Sequence, residues 1–195
     1  MPGDFALGHP KGALSLVYSE KGLDDRLSNV LPQGTPIILL AASPEQGEAA
    51  SAQLTEGSFP LLGIIEGGRS AWQAAGLPED SFDEVSVGEL GALTPSNDLV
   101  VLDVREPMEW ETGHVPGAML IPLGNLRQHI QSIPREARVT VICEAGVRSS
   151  AAASILQAQG FTNVANVPEG TAGYRRAGLP LQYPESSPPQ GGNDR

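Results

Sequence analysis

Val139-Thr140-Val141-Ile142-Cys143-Glu144-Ala145-Gly146-Val147-Arg148-Ser149-Ser150 is the stretch on which the fold turns. Its first four residues are a β-branched run of the kind that forms a buried strand. Ser149 to Gln159 then reads as a helix of small residues, with Ile155 and Leu156 on one face and Gly160 in position to end it. Leu99–Leu102 is a continuous apolar run and predicts a second buried strand. Ala118–Ile121 predicts a short strand that stops at Pro122. Leu126–Ile133 has helical spacing, Asn163–Val167 reads as a strand, and Ala172–Ala177 as a short helix closed by Gly178. Strands alternating with helices predict an α/β fold, a parallel sheet with helices on both faces.

The pattern occurs twice. Residues 37–78 align without a gap on residues 139–180, at an offset of 102. The matches include Ala49/Ala151, Leu54/Leu156, Phe59/Phe161 and Gly68/Gly170, and Ala75-Gly76-Leu77-Pro78 recurs as Ala177-Gly178-Leu179-Pro180. Upstream, Phe5-x-x-Gly8-His9-x-x-Gly12-Ala13 echoes Trp110-x-x-Gly113-His114-x-x-Gly117-Ala118, after a three-residue shift. Two units are expected, at 1–80 and 84–182, followed by a Pro/Ser/Gly-rich disordered tail at 184–195. Four residues precede Phe5, too few for a counterpart of Leu99–Leu102, so the first unit is expected to lack its first strand and to leave a sheet edge open.

Composition excludes several function classes. The 195 residues fit one domain or two small ones, and 40% apolar with 18% charged residues suffices for a packed core. A net charge of −11 argues against nucleic acid and against an anionic membrane surface as partners. No apolar run reaches the roughly 18–20 residues of a membrane span. The start, Met1-Pro2-Gly3-Asp4, has no signal-peptide pattern, and a cytoplasmic protein is expected. One cysteine cannot form an internal disulfide or a cysteine metal cluster, and His9, His114 and His129 lack ligand spacing, so neither metal nor cofactor is expected.

Chemistry is expected in the loop from Cys143 to Ser149. Taken alone, a strand-end cysteine is most simply a small core residue. Joined to a glycine, an arginine five residues on and a helix start, it describes a cradle for an anion-sized group. Backbone N–H groups, the helix N-terminus and Arg148 would all favour a thiolate at Cys143. Gly146 suits a tight loop, and Ser149 suits either a helix N-cap or a hydroxyl aimed at the sulfur.

Residues 84–182 resemble a rhodanese domain. The resemblance rests on Leu102-Asp103-Val104-Arg105-Glu106, on Trp110 to Ala118, on Ile121-Pro122-Leu123, on Cys143 to Arg148 and on Ala177-Gly178-Leu179-Pro180. It implies a sulfurtransferase. Cys143 would take a sulfane sulfur from thiosulfate or a thiol persulfide and pass it to cyanide, a thiol or a protein acceptor. Glu144, Ala145, Gly146, Val147, Arg148 and Ser149 would hold the outer sulfur. The four-residue spacing between Cys143 and Arg148 is one shorter than in related cysteine phosphatases and arsenate reductases, which favours a single sulfur over a tetrahedral oxyanion. A non-catalytic interaction module is the rival from another class. Glu144 is expected to point to solvent; aimed inward, it would repel dianionic thiosulfate. Asp103 and Arg105 are expected to brace the site at a strand end, and His114 to brace a turn. Trp110 is read as core.

The first unit has no such chemistry. Ala41 stands at the Cys143 position and Gln46 at the Arg148 position, and Ser43 lies two positions beyond the nucleophile's place without a base. An inactive unit ahead of an active one also resembles the C-terminal portion of fusions between metallo-β-lactamase-like persulfide dioxygenases and rhodaneses, although the His-x-His-x-Asp-His metal motif is absent here. The open edge is expected to support a homodimer through strand addition.

Overall fold

The computed structural model describes residues 2–19, 21–41, 43–55, 57–93 and 98–184. Ala42 and, from residue 185 on, the segment expected as a tail lie outside the described residues. The first half runs α1 (Pro2–Leu7), β1 (His9–Pro10), α2 (Leu23–Ser28), β2 (Ile37–Leu40), α3 (Pro44–Thr55), β3 (Leu61–Ile65), α4 (Gly68–Ala74) and β4 (Glu79–Asp80). The second runs β5 (Asp83–Glu84), α5 (Val87–Ala92), β6 (Leu99–Asp103), α6 (Pro107–Trp110), β7 (Met119–Leu120), α7 (Leu126–His129), β8 (Arg138–Ile142), α8 (Val147–Ala158), β9 (Val164–Asn166) and α9 (Gly170–Arg176).

The second half is a five-stranded parallel sheet in the order β5-β9-β8-β6-β7. Its central strand is β8, where Val139, Val141 and Ile142 are fully buried. Register pairs Leu99 with Arg138 and Asp103 with Ile142. That alignment brings Asp103 and Cys143 to the same, C-terminal end of the sheet, where ligand sites of open parallel sheets form. On one face Leu102, Val139 and Val141 pack with Ala152, Ala153, Ile155 and Leu156 of α8. On the other, Ile142, Ala165 and Val167 pack with Leu90 of α5 and Tyr174 of α9.

In the first half β2 pairs in parallel with β3, over a core of Leu23, Leu27, Ile37, Ala50, Leu54 and Phe59. Among the described residues β3 is the one strand bonded to β2, whereas β8 lies between β6 and β9. Ile38 and Leu62 are exposed on this small sheet. Several details of the two halves coincide. His9 pairs antiparallel with Asp80 as His114 does with Gln182. The rings of Phe5 and His9 stack, as do those of Trp110 and His114.

The halves share one core. Ala6, Val30 and Phe82 join Leu102, Val104, Val141 and Leu156 in a single apolar cluster. Ser15 N–H donates to Ser154 Oγ at 3.0 Å, and Ser150 Oγ donates to Ser15 Oγ at 2.9 Å. Helix α8 is thereby enclosed, and every residue from Ser149 to Leu156 is buried. Its run of Ala and Ser is explained by this, since larger side chains would hold off the sheet on one side or the first half on the other. The helix starts two residues before the predicted Ser149, because Gly146 at φ 79° turns the chain into it and lets Val147 and Arg148 form the first turn. The predicted helix 126–133 is split into α7 and a 3-10 turn at Ile130–Ser132. No helix among the described residues is long and apolar enough to cross a membrane.

Because one cluster spans both halves, unfolding is expected to be a single cooperative transition. Phe82→Ala should lower stability by about 3 kcal/mol or more without splitting it, a result checked by urea denaturation followed at two wavelengths.

Candidate active site

Cys143 directly follows β8, and its side chain is 1% exposed. The sulfur has one hydroxyl neighbour, Ser149 Oγ at 3.3 Å. Ser149 is in the first turn of α8 and is not its N-cap, which is Gly146, so of the two expected roles the hydroxyl at the sulfur is the one realised. The N–H groups of Val147, Arg148 and Ser149 have no intrahelical acceptor, since the first such bond runs from Ser150 to Gly146 O at 3.1 Å. Ala145 and Val147 are exposed on the rim.

The loop is held from behind by the start of α9. Thr171 N–H donates to Cys143 O at 2.8 Å and Ala172 N–H to Glu144 O at 3.1 Å. Such close approach requires glycine twice. A Cβ on Gly146 would overlap Pro168, and one on Gly170, at φ 60°, would overlap Glu144 O. Gly170 and Thr171 were not singled out as site residues, although Gly170 appeared as half of a repeated pair.

Arg148 does not bring a free charge to the cradle, although its charge still interacts with Cys143. Its guanidinium is bound in a fork by Glu109, with both N···O distances at 2.6 Å. The pairing holds the Glu109 carboxyl down at about 2. Glu144 does not point to solvent either. Its carboxylate accepts from Thr171 Oγ1 at 2.7 Å, forms an ion pair with Arg175, and lies 3.8 Å from Arg105 Nη1. The reason in both cases is a partner on a different element, α6 or α9, that loop spacing does not reveal. Glu109, Thr171 and Arg175 were missed; the signal for Glu109 was the Glu106-Pro107-x-Glu109 helix start, which is a reciprocal cap in the structure.

Asp103 and Arg105 are fully buried at the end of β6. Arg105 donates to Asp103 through Nε and Nη2, to Glu109 O through Nη1 at 3.1 Å and to Gly113 O through Nη2 at 3.0 Å. This fork joins the strand end, α6 and the turn that bears His114. His114 is stacked on Trp110 with ring centres 3.4 Å apart, and its Nδ1 lies 3.3 Å from Trp110 O. Burial lowers its pKa, which keeps the ring neutral at pH 7. Glu106 caps α6.

This combination of a strand-end cysteine, a glycine-turned loop and a helix start coincides with a family match. Residues 86–177 match the model of the rhodanese-like domain. A sulfurtransferase of Allochromatium vinosum is 32% identical over 93 residues, which span 48% of this chain and 87% of that protein. The chain belongs to the rhodanese family. The rhodanese domain is also 27% identical over 97 residues to the thiosulfate sulfurtransferase GlpE of Pseudoalteromonas translucida, covering 50% of this chain and 92% of GlpE. A tRNA uridine(34) hydroxylase of Yersinia pestis is 27% identical over 126 residues, covering 56% of this chain and 36% of that protein.

Two outcomes are expected from this geometry. Gly170→Ala should cost about 1–3 kcal/mol, because it adds strain at a positive φ and a backbone overlap at the loop; thermal denaturation measures it. The Glu109 carboxyl is lowered from 4.5 to about 2, so its contribution is complete above pH 4.5 and is lost as pH falls toward 2. Acid titration of stability should therefore fall less steeply between those values in Glu109→Gln than in wild type.

Proposed function

We propose that this rhodanese is a sulfurtransferase that carries sulfur as a persulfide on Cys143. The observation that carries the reading is the position of the sulfur, at the end of a buried strand where the loop leads into α8, with Ser149 Oγ of the first turn of that helix 3.3 Å away. In this reading the Cys143 thiolate attacks the outer sulfur of a thiosulfate or a thiol persulfide. The donor S–S bond breaks, and sulfite or a thiolate leaves. The new outer sulfur rests among the N–H groups of Ala145 to Ser149, with Glu144 to Ser149 forming the cradle. An acceptor (cyanide, a small thiol or a protein cysteine) then attacks that sulfur and regenerates Cys143. The thiolate needs no general base. Asp103, Arg105 and His114 act as braces.

A phosphatase or arsenate-reductase reading finds less support. The loop is short, and Arg148, which would bind an oxyanion, is occupied by Glu109. We further propose that residues 1–80 are an inactive, incomplete rhodanese-like unit beside the active unit at 84–182. The coincident His pairings and ring stacks support this, and Ala41 and Gln46 in place of Cys143 and Arg148 account for the loss of activity. Among the described residues β2 is bonded on one side only, and with Ile38 and Leu62 exposed this small sheet suits association with a second copy. A single free thiol suits a reducing cytoplasm.

The test is thiocyanate formation from cyanide, with mass spectrometry of the intact protein after exposure to donor. Wild type should gain the mass of one sulfur atom and turn over; Cys143→Ser, shown to be folded, should do neither. A folded wild type with a free thiol that takes up no sulfur would overturn the reading and leave the interaction module.

A further inference from the structure

We infer that the mouth of this site selects a thiol persulfide, R–S–SH, as its sulfur donor and discriminates against thiosulfate; the inference rests on the sulfurtransferase reading above. Its basis is the state of the cations around the loop. Three arginines touch the loop or its supports, and each is already matched by a carboxylate. Arg148 is forked onto both oxygens of Glu109 at 2.6 Å. Arg105 is buried against Asp103 at 2.7 Å. Arg175 is paired with Glu144 through Nη2, and its Nη1 is buried without a hydrogen-bond partner. None of these three presents an unmatched charge to an entering anion.

The reactions differ in the charge they gather. Attack on thiosulfate joins a thiolate to a dianion: E–S⁻ + S–SO₃²⁻ gives E–S–S⁻ + SO₃²⁻, with three negative charges present throughout. Attack on a protonated persulfide, E–S⁻ + R–S–SH giving R–S⁻ + E–S–SH, involves one at the reacting atoms, apart from any charge on R. Among the described residues around it, the cradle offers backbone dipoles and arginines that are already paired, with both members of the Arg148–Glu109 and Arg175–Glu144 pairs about one-third exposed at its edge. Dipoles of this kind can hold one sulfur anion; the two extra charges of thiosulfate meet arginines whose charge is already matched by Glu109 and Glu144.

Glu109 is thus a specificity-determining residue that acts through Arg148. Removing its charge while keeping its shape should release Arg148 toward an incoming anion. The experiment compares kcat/KM for glutathione persulfide and for thiosulfate, with cyanide as acceptor, in wild type, Glu109→Gln and Glu144→Gln. Wild type should favour the persulfide by about a hundredfold or more, and each substitution should shift the ratio toward thiosulfate by about tenfold. The thiosulfate rate recovered in Glu109→Gln should fall with added salt, because a freed charge pair is screened. Equal use of both donors by wild type would overturn the inference, as would an unchanged ratio in the variants. If Glu109→Gln does not fold, the ratio in Glu144→Gln decides. Failure of the sulfurtransferase reading is distinguishable: Cys143 would then gain no sulfur from either donor.

Discussion

The buried guanidinium of Arg105 is the constraint on which the site depends. A charge with no solvent exposure must be matched and fully hydrogen-bonded, or it would cost several kcal/mol. Asp103 matches it, the carbonyls of Glu109 and Gly113 each accept one further N–H, and Glu144 lies 3.8 Å from Nη1. In meeting that requirement the chain ties the end of β6 to α6 and to the Gly113-His114 turn. Helix α6 has four residues, too few to hold its own position. Its attachment to Arg105 is what presents the Glu109 carboxylate to Arg148. A pair far from the sulfur in sequence thereby sets the charge at the mouth of the loop.

A second fixture works from the other side. The start of α9 donates two N–H groups to the carbonyls of Cys143 and Glu144, and Gly170 permits the approach. The carbonyls of Cys143 and Glu144 are thereby held against α9, while the first N–H groups of α8 keep no intrahelical acceptor. The first half contributes on a third side. By burying Ser150 and Ser154 against Ser15, and by adding Phe82 and Val30 to the main core, it encloses the helix whose first turn forms the cradle. Whatever else that half does, it packs against the helix behind the reactive sulfur.

The charge arrangement distinguishes this site from one built to bind a polyanion. Oxyanion sites commonly use an arginine fork whose donors are open to the ligand. Here the fork of Arg148 is closed by Glu109, and Glu144 is drawn onto Arg175 and Thr171. What these pairings leave unmatched at the loop is backbone polarity, in the first N–H groups of α8.

Much of this was legible in the chain itself. The β-branched run at 139–142, the apolar run at 99–102 and the small-residue helix after the loop determined a parallel α/β sheet, since period and composition report burial directly. The position of Cys143 at a strand end and the need for Gly146 follow from local geometry, and so does the absence of a nucleophile at Ala41. The Phe5-to-Ala13 echo of Trp110 to Ala118, three residues off the 102-residue offset, coincides with matching contacts at His9 and His114. The destination of a long charged side chain was not legible. Arg148 lies 39 residues from Glu109, and Glu144 lies 31 from Arg175. Each can rotate toward several partners, and only the packing of α6 and α9 against the loop selects one. Local sequence thus determined where the sulfur stands, and tertiary structure decided the charge that surrounds it. Backbone form is set by neighbours along the chain, whereas electrostatics is set by neighbours in space.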